Sequence, residues 1–449
     1  KVMKPYPPLG ILYLSAWLEK HGFENEVFDS TFSSMQDLHA YLQENKPDII
    51  ALYTNLMTKM NILKLVEFIR KEPVLKNALI VLGGPDVTYN VDHYLAAEVD
   101  LLVIGEGEQT MLEIVKEAQN KFPDWTRVPG LAFRMKDGSI FKTRARDKIK
   151  NLDVLPLPSR DKIDQLKYLS SWKERHGISA ISVSTQRGCP YTCRWCSTAV
   201  YGQSYRRRSP SSVVTELRIL KETYNPDLFW FVDDVFTISH KWIEGFYAAL
   251  KASELQISFE CITRAERLND HLLNLLSECG CYRIWIGAES GSQTILDAMD
   301  RRVDIQHVSK MIIATRKKGI QTGTFIMLGY PGETEEDIFQ TLHYLKKALP
   351  DQVTYTISYP ITGTALYDQV LPRIQTNSLW RNTPDRELDF TRTYPRRYYD
   401  FALPWIQNSY RLSKARNEGT LDLLRLIKMT TKIFILRMGM LLHKWKTFA

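Results

Sequence analysis

GISAISVSTQRGCPYTCRWC, residues 177–196, opens as an apolar strand and runs into three cysteines spaced CxxxCxxC. Three of the chain's six cysteines, Cys189, Cys193 and Cys196, thus fall within eight positions. Six cysteines in 449 residues are too sparse for a disulfide scaffold, so a clustered triplet points to metal binding or catalysis. Three unrelated thiols are the bland alternative, but free cysteine is usually buried and rarely clustered. Structural zinc wants four closed ligands, and the closest histidines, His176 and His240, are not near. A redox pair at Cys193 and Cys196 would leave Cys189 unexplained. Three thiolates suit a four-iron cluster held by cysteine sulfur, with one iron left without a side chain and open to a small chelating molecule. The remaining cysteines, Cys261, Cys279 and Cys281, form an incomplete set and read as buried structural thiols.

Working outward, the cysteine loop starts a strand–helix alternation. SSVVTELRILKETY is helical in pattern, LFWFVDDVFT is a strand, and the rhythm continues to QVTYTISYP. About six strand–helix units over 179–370 suffice for a partial parallel barrel, and such barrels place their chemistry in the loops after the strands. Asp233, Asp234, Arg264, Glu289 and Gly332-Glu333 all fall at such strand ends. Paired carboxylates at Asp233 and Asp234, closing a very apolar strand, are costly unless used or solvated.

Residues 1–125 alternate in the same manner, as expected of a doubly wound parallel sheet. Its ligand loops should lie at the carboxyl ends of the strands, where Gly83, Gly84, Gly105 and Gly107 stand; plain turns are the alternative use of such glycines. Residues 126–178 are less regular, and NLDVLPLPSR reads as a linker. The formal charge is +8, and from Arg411 onward nine lysines and arginines face only Glu418 and Asp422, which suggests a local anionic partner. No run reaches 18 apolar residues, against a spanning helix. No signal peptide is visible, which favours a cytoplasmic protein.

RGCPYTCRWC resembles the signature of the radical S-adenosylmethionine (SAM) superfamily. The resemblance extends through VDDVF at 232–236, TRAERL at 263–268, GAESGSQ at 287–293 and LGYPGET at 328–334. It is to the branch with an N-terminal cobalamin-binding-type domain, which includes anaerobic magnesium-protoporphyrin monomethyl ester cyclase and hopanoid-modifying enzymes. The fold it implies is α/β: a Rossmann-like sheet lacking its first strand (1–125), a linker (126–178), a partial (β/α)6 TIM-like barrel (179–370) and a basic, aromatic helical extension (371–449). It further implies a 4Fe-4S cluster on Cys189, Cys193 and Cys196 and reductive SAM cleavage to a 5′-deoxyadenosyl radical that abstracts hydrogen from substrate. SAM contacts are implied for Glu289, Arg264, Trp195 and Asp233 or Asp234. Structural uses compete: an ion pair for Arg264 and core packing for Trp195.

Cobalamin would sit at Gly83, Gly84, Gly105 and Gly107, although the DxHxxG histidine of that fold has no counterpart near KVMKPYPPLG. With cobalamin, C-methylation of a small or apolar metabolite leads over cyclase-type oxidation; without it, dehydration or rearrangement is open. An electron donor such as flavodoxin or ferredoxin is expected, and no nucleic acid. A tRNA-modifying enzyme should carry an RNA-binding appendage, and none is recognisable. The tail is expected to cap the barrel or to contact anionic lipid or a lipid-like substrate from the membrane periphery. The rival from another class is a zinc-stabilised binding module without catalysis.

Overall fold

A computed structural model of the chain describes residues 5–198, 200–374, 380–382 and 387–444. The opening KVMK and parts of the basic tail (375–379, 383–386 and 445–449) lie outside the described residues.

The N-terminal layer begins with helices α1 (Leu9–Lys20) and α2 (Met35–Asn45), the second started by a reciprocal Ser34–Asp37 capping box. Strand β1 (Ile49–Tyr53), α3 (Lys59–Lys71), β2 (Leu79–Gly83), α4 (Val91–Leu95), β3 (Leu101–Val103) and α5 (Gly107–Ala118) follow. The pleat sends alternate side chains to opposite faces. Ile80 and Leu82 pack under α3 and α4, while Val81, Leu101 and Val103 pack under α1 and α5. β1, β2 and β3 are parallel, with β1 at one edge.

The sheet is nevertheless mixed rather than wholly parallel. Beyond β3, an antiparallel hairpin of β4 (Leu131–Arg134) and β5 (Ile140–Lys142) extends it, built from residues expected to be linker. Asp137-Gly138 supplies the turn, with Gly138 at φ +86°, and Leu131, Ala132 and Phe133 are buried against the sheet. The rest of the connector also packs. Its helix α6 (Gln165–His176) donates Trp172 Nε1 to the Pro5 carbonyl at 2.8 Å, and Arg160 reaches Ser182 O at 2.7 Å and Glu216 at 3.1 Å.

The barrel begins at β6 (Ala180–Val183), followed by a two-residue antiparallel pair, β7 (Gln186–Arg187) and β8 (Arg206–Arg207), that brackets the cysteine loop. Next come α7 (Pro210–Tyr224), β9 (Leu228–Phe231), α8 (His240–Ser253), β10 (Phe259–Thr263), α9 (Asp270–Glu278) and β11 (Cys281–Glu289). α10 (Gln293–Ala298), α11 (Ile305–Lys317), β12 (Gln321–Leu328), α12 (Glu335–Ala348), β13 (Gln352–Ile357) and α13 (Ala365–Val370) complete it. Six strands pair in parallel in the order β13-β12-β11-β10-β9-β6, an open half-barrel. Phe229, Phe231, Phe236, Phe246 and Phe259 fill its core at one end. Cys261, Cys279 and Cys281 are all buried in that core, as structural thiols should be.

Two 22-residue helices close the described chain, α14 (Arg396–Asn417) and α15 (Leu423–Lys444). Tyr398, Tyr399 and Ile406 of α14 join the barrel core. α15 lies close on α14 because Gly439 leaves room for the Phe401 ring, and Arg437 and Lys444 clamp Glu335 of α12. No helix among the described residues is long and apolar enough to cross a membrane.

Candidate active site

The cysteine loop is held by barrel residues on both sides. Ahead of it, the buried Asp233 accepts from the Thr185 amide at 2.8 Å, the Gln186 amide at 3.1 Å and the Thr185 hydroxyl. Arg207 stands 3.7 Å from the same carboxylate, sandwiched by Trp242 at 3.4 Å. Gly188 (φ +83°) then turns the chain where any Cβ would strike Ser204. Within the loop, Arg264 Nη1 reaches Cys193 Sγ at 3.3 Å. Its other nitrogens bind Glu266 and the Arg301 carbonyl, and its guanidinium covers Tyr191 at 3.8 Å. Trp195 drives the loop into an apolar cluster of Ile295, Met299, Met327 and Tyr330. The Arg194 amide donates to Met299 O at 3.0 Å.

Cys189 and Cys196 face a cavity of about 700 Å³ that the barrel shares with the N-terminal layer. Asp234 lines it beside them. Burial and Asp233 push the Asp234 carboxyl up, and burial followed by Asp234 pushes the Cys196 thiol up to about 12. Thiolates there need a compensating cation, as metal binding supplies. Among the described residues no three His, Cys, Asp or Glu side chains converge on a single metal ion. A four-iron cluster is bonded at its corners, so its ligands stand farther apart than those of one ion, and a loop carrying three thiols at a cavity mouth fits it.

The opposite wall is made of backbone. Gly83, Gly84, Gly105 and Gly107 all line the cavity. Gly84 (φ +116°) passes so close to Thr54 that a Cβ would strike its carbonyl oxygen, whereas a Cβ on Gly105 (φ +93°) would meet nothing within 4 Å and would project into free space. Tyr6, Pro7, Tyr53 and Asn55 widen this wall, and no histidine is among the lining residues. Such a cradle fits a large flat ligand gripped at its ring and tail, with no imidazole offered from this wall.

Sequence reasoning missed what joins the walls. Glu106 and Glu108, beside the second glycine loop, are buried against Arg187 and Arg206, which flank the cysteine loop. Arg187 Nη1 donates to Glu108 Oε2 at 3.2 Å, and its other terminal nitrogen pairs with the second oxygen, a bidentate clamp. The signal lay in GEGE at 105–108 and in the arginine that opens RGC.

The other expected residues lie away from the cavity lining. Glu289 ends β11 in left-handed backbone (φ +71°) at an irregular step in the pairing with β12. Burial pushes its carboxyl up to about 7 against the opposing pull of Arg301 and Arg264. A strained, desolvated carboxylate behind the thiols has the character of a functional group. Arg264 binds Cys193, Glu266 and the Arg301 carbonyl, and Trp195 packs half-buried on its apolar cluster.

The comparisons with known proteins agree with this geometry. A family model for the radical SAM superfamily matches residues 183–345, and one for the B12 binding domain matches residues 1–115. Over 373 residues the chain is 29% identical to an uncharacterized methyltransferase of Pyrococcus horikoshii, covering 81% of this chain and 78% of that protein. It is 27% identical over 380 residues to the anaerobic magnesium-protoporphyrin IX monomethyl ester cyclase of Rubrivivax gelatinosus, covering 82% and 67%. The fold is similar to that of the cobalamin-dependent S-adenosylmethionine radical enzyme OxsB, at TM-score 0.76 and 16% identity over 97% of this chain and 78% of that one. Residues 183–345 thus carry a radical SAM domain, and residues 1–115 ahead of it a B12-binding domain.

Proposed function

We propose that the enzyme is cobalamin-dependent and transfers a methyl group to an unactivated carbon of a small or apolar metabolite. One observation carries the reading: a single cavity has thiols and a carboxylate on one wall and two glycine loops on the other. Cys189, Cys193 and Cys196 would hold a 4Fe-4S cluster with SAM at its open iron, and Gly83, Gly84, Gly105 and Gly107 a corrinoid. When bound, these groups supply one-electron cleavage of SAM and a cobalt methyl carrier.

The chain's own residues orient and shield. Asp233 fixes the approach to the cysteine loop, and Arg264 holds Cys193 in place. Asp234 presents a carboxylate to the cavity beside Cys189 and Cys196, where it would attract the ammonium or sulfonium charge of SAM. Glu289, whose carboxyl has no hydrogen-bond donor among the described residues, would accept from a ribose hydroxyl. The Arg187–Glu108 clamp keeps the two walls together. The reading also puts the enzyme in the aqueous phase, with a peripheral contact to membrane through α15.

The likeness to a cyclase favours a second reading, a radical oxidation that closes a ring and consumes no methyl group. Anaerobic reconstitution with iron, sulfide and cobalamin, followed by reductant and methyl-labelled SAM, decides between them. Methyl transfer yields both S-adenosylhomocysteine and 5′-deoxyadenosine, with label in the product; a cyclase yields 5′-deoxyadenosine alone. Stoichiometric zinc with no SAM cleavage would overturn both in favour of a binding module.

A further inference from the structure

The last helix carries an apolar surface that nothing in the described chain covers. α15 packs on α14 and the barrel through Ile433, Leu436 and Met440, with Arg437 and Lys444 on Glu335. Its far side holds Leu423, Leu424, Ile427, Phe434, Ile435 and Leu442, which are 55–81% exposed. Their spacing keeps them within about one third of the helix circumference, in a stripe that runs its whole length of roughly 33 Å. A stripe of large apolar side chains on a surface, interrupted here by Thr431, marks a contact.

The charges around the stripe say with what. Arg425, Lys428 and Lys432 are exposed along one flank, and the helix contains no acidic residue from 423 to 444. At its head, a shallow cleft of about 310 Å³ collects Arg411, Lys414 and Arg425 with Asn408 and Thr420; Glu418 is its single carboxylate. A second copy of α15 would meet only like charge. A surface that is apolar beneath and negative above would satisfy both rows, which is the interface of an anionic bilayer.

We propose that α15 is a membrane-docking helix that lies in the headgroup plane of anionic phospholipid, with the stripe inserted and the flanking Arg425, Lys428 and Lys432 reaching lipid phosphates. This contact stands apart from the reaction at the cavity and would hold whichever chemistry occurs there.

The test is co-sedimentation of the full chain with vesicles of phosphatidylcholine alone and of phosphatidylcholine with phosphatidylglycerol. Strong pelleting is expected only with the anionic vesicles, and it should weaken as salt is raised. Replacing Arg425, Lys428 and Lys432 together by Gln should lower partitioning about 100-fold, since each cation near the surface contributes roughly fivefold. Leu424→Ser with Ile435→Ser should lower it at least tenfold. These positions are exposed, and unchanged circular dichroism verifies the fold. Equal pelleting with neutral vesicles, or none with anionic ones, overturns the proposal. So does a dimer in light scattering that Leu424→Ser with Ile435→Ser turns into a monomer. None of these measurements reads SAM cleavage, so failure here leaves the reaction assignment intact.

Discussion

The two walls of the cavity are built by opposite means. The barrel wall works through side chains: thiols at Cys189 and Cys196, a carboxylate at Asp234, each defined by chemical identity. The N-terminal wall works through missing side chains, with Gly84 and Gly105 in left-handed backbone. The first should fail chemically while its fold stands. The second should fail sterically, and its two glycines should fail differently. Arg187 belongs to neither pattern, since it joins them.

The largest effect should come from Cys193→Ala, which removes a proposed cluster ligand without touching the core. Iron and sulfide content should fall severalfold and SAM cleavage to background, with circular dichroism unchanged; full iron content would break the assignment of the side-chain wall. Next is Arg187→Met, which leaves Glu108 buried without its cation. Unfolding by urea should show a loss of about 3–5 kcal/mol, and no loss would mean that the walls are independent.

The glycines sharpen the contrast. Gly84→Ala adds a clash with Thr54 to an unfavourable φ and should cost about 3 kcal/mol. Gly105→Ala meets no neighbour and should cost only about 1–2 kcal/mol of backbone strain, yet weaken corrinoid binding because its methyl enters the cavity. Equal corrinoid binding by Gly105→Ala and the parent would remove that loop from the ligand site.

The smallest effect lies far from both walls. Arg437 first, and Lys444 with it, hold the Glu335 carboxyl at about 2, below its usual 4.5. A depressed carboxyl stabilises the fold above pH 4.5 and loses that contribution as pH falls toward 2. The pair is partly solvated, so the loss should stay below about 1 kcal/mol. Protection factors in α15, taken against the intrinsic exchange rate at each pH, should fall over that range in the parent and be already lower, and flatter with pH, in Glu335→Gln.

The side-chain wall was largely legible in the sequence, because spacing and residue type carry it: CxxxCxxC after an apolar strand, and carboxylates at strand ends. The glycine loops were legible as positions but not as conformations; nothing in ESG announces that Glu289 sits at φ +71°. The β4–β5 hairpin was lost because its strands are only four and three residues long and were taken with the irregular residues around them. Asp137-Gly138 was the available signal. The Arg187–Glu108 clamp spans 79 positions, and no local pattern links partners that far apart.

The stapling of the cysteine loop has a consequence for its life cycle. Fixing one residue's backbone costs about 1–2 kcal/mol of conformational entropy. Here Asp233 on Thr185 and Gln186, Met299 on Arg194 and Arg264 on Cys193 order the loop using protein contacts alone. Much of that entropy is therefore surrendered during folding rather than at cluster assembly. A zinc finger collapses when its metal leaves; this loop should outlast its cluster. Destruction of the inorganic core by oxygen would then be a reversible injury, repaired by reloading a socket that never unfolded.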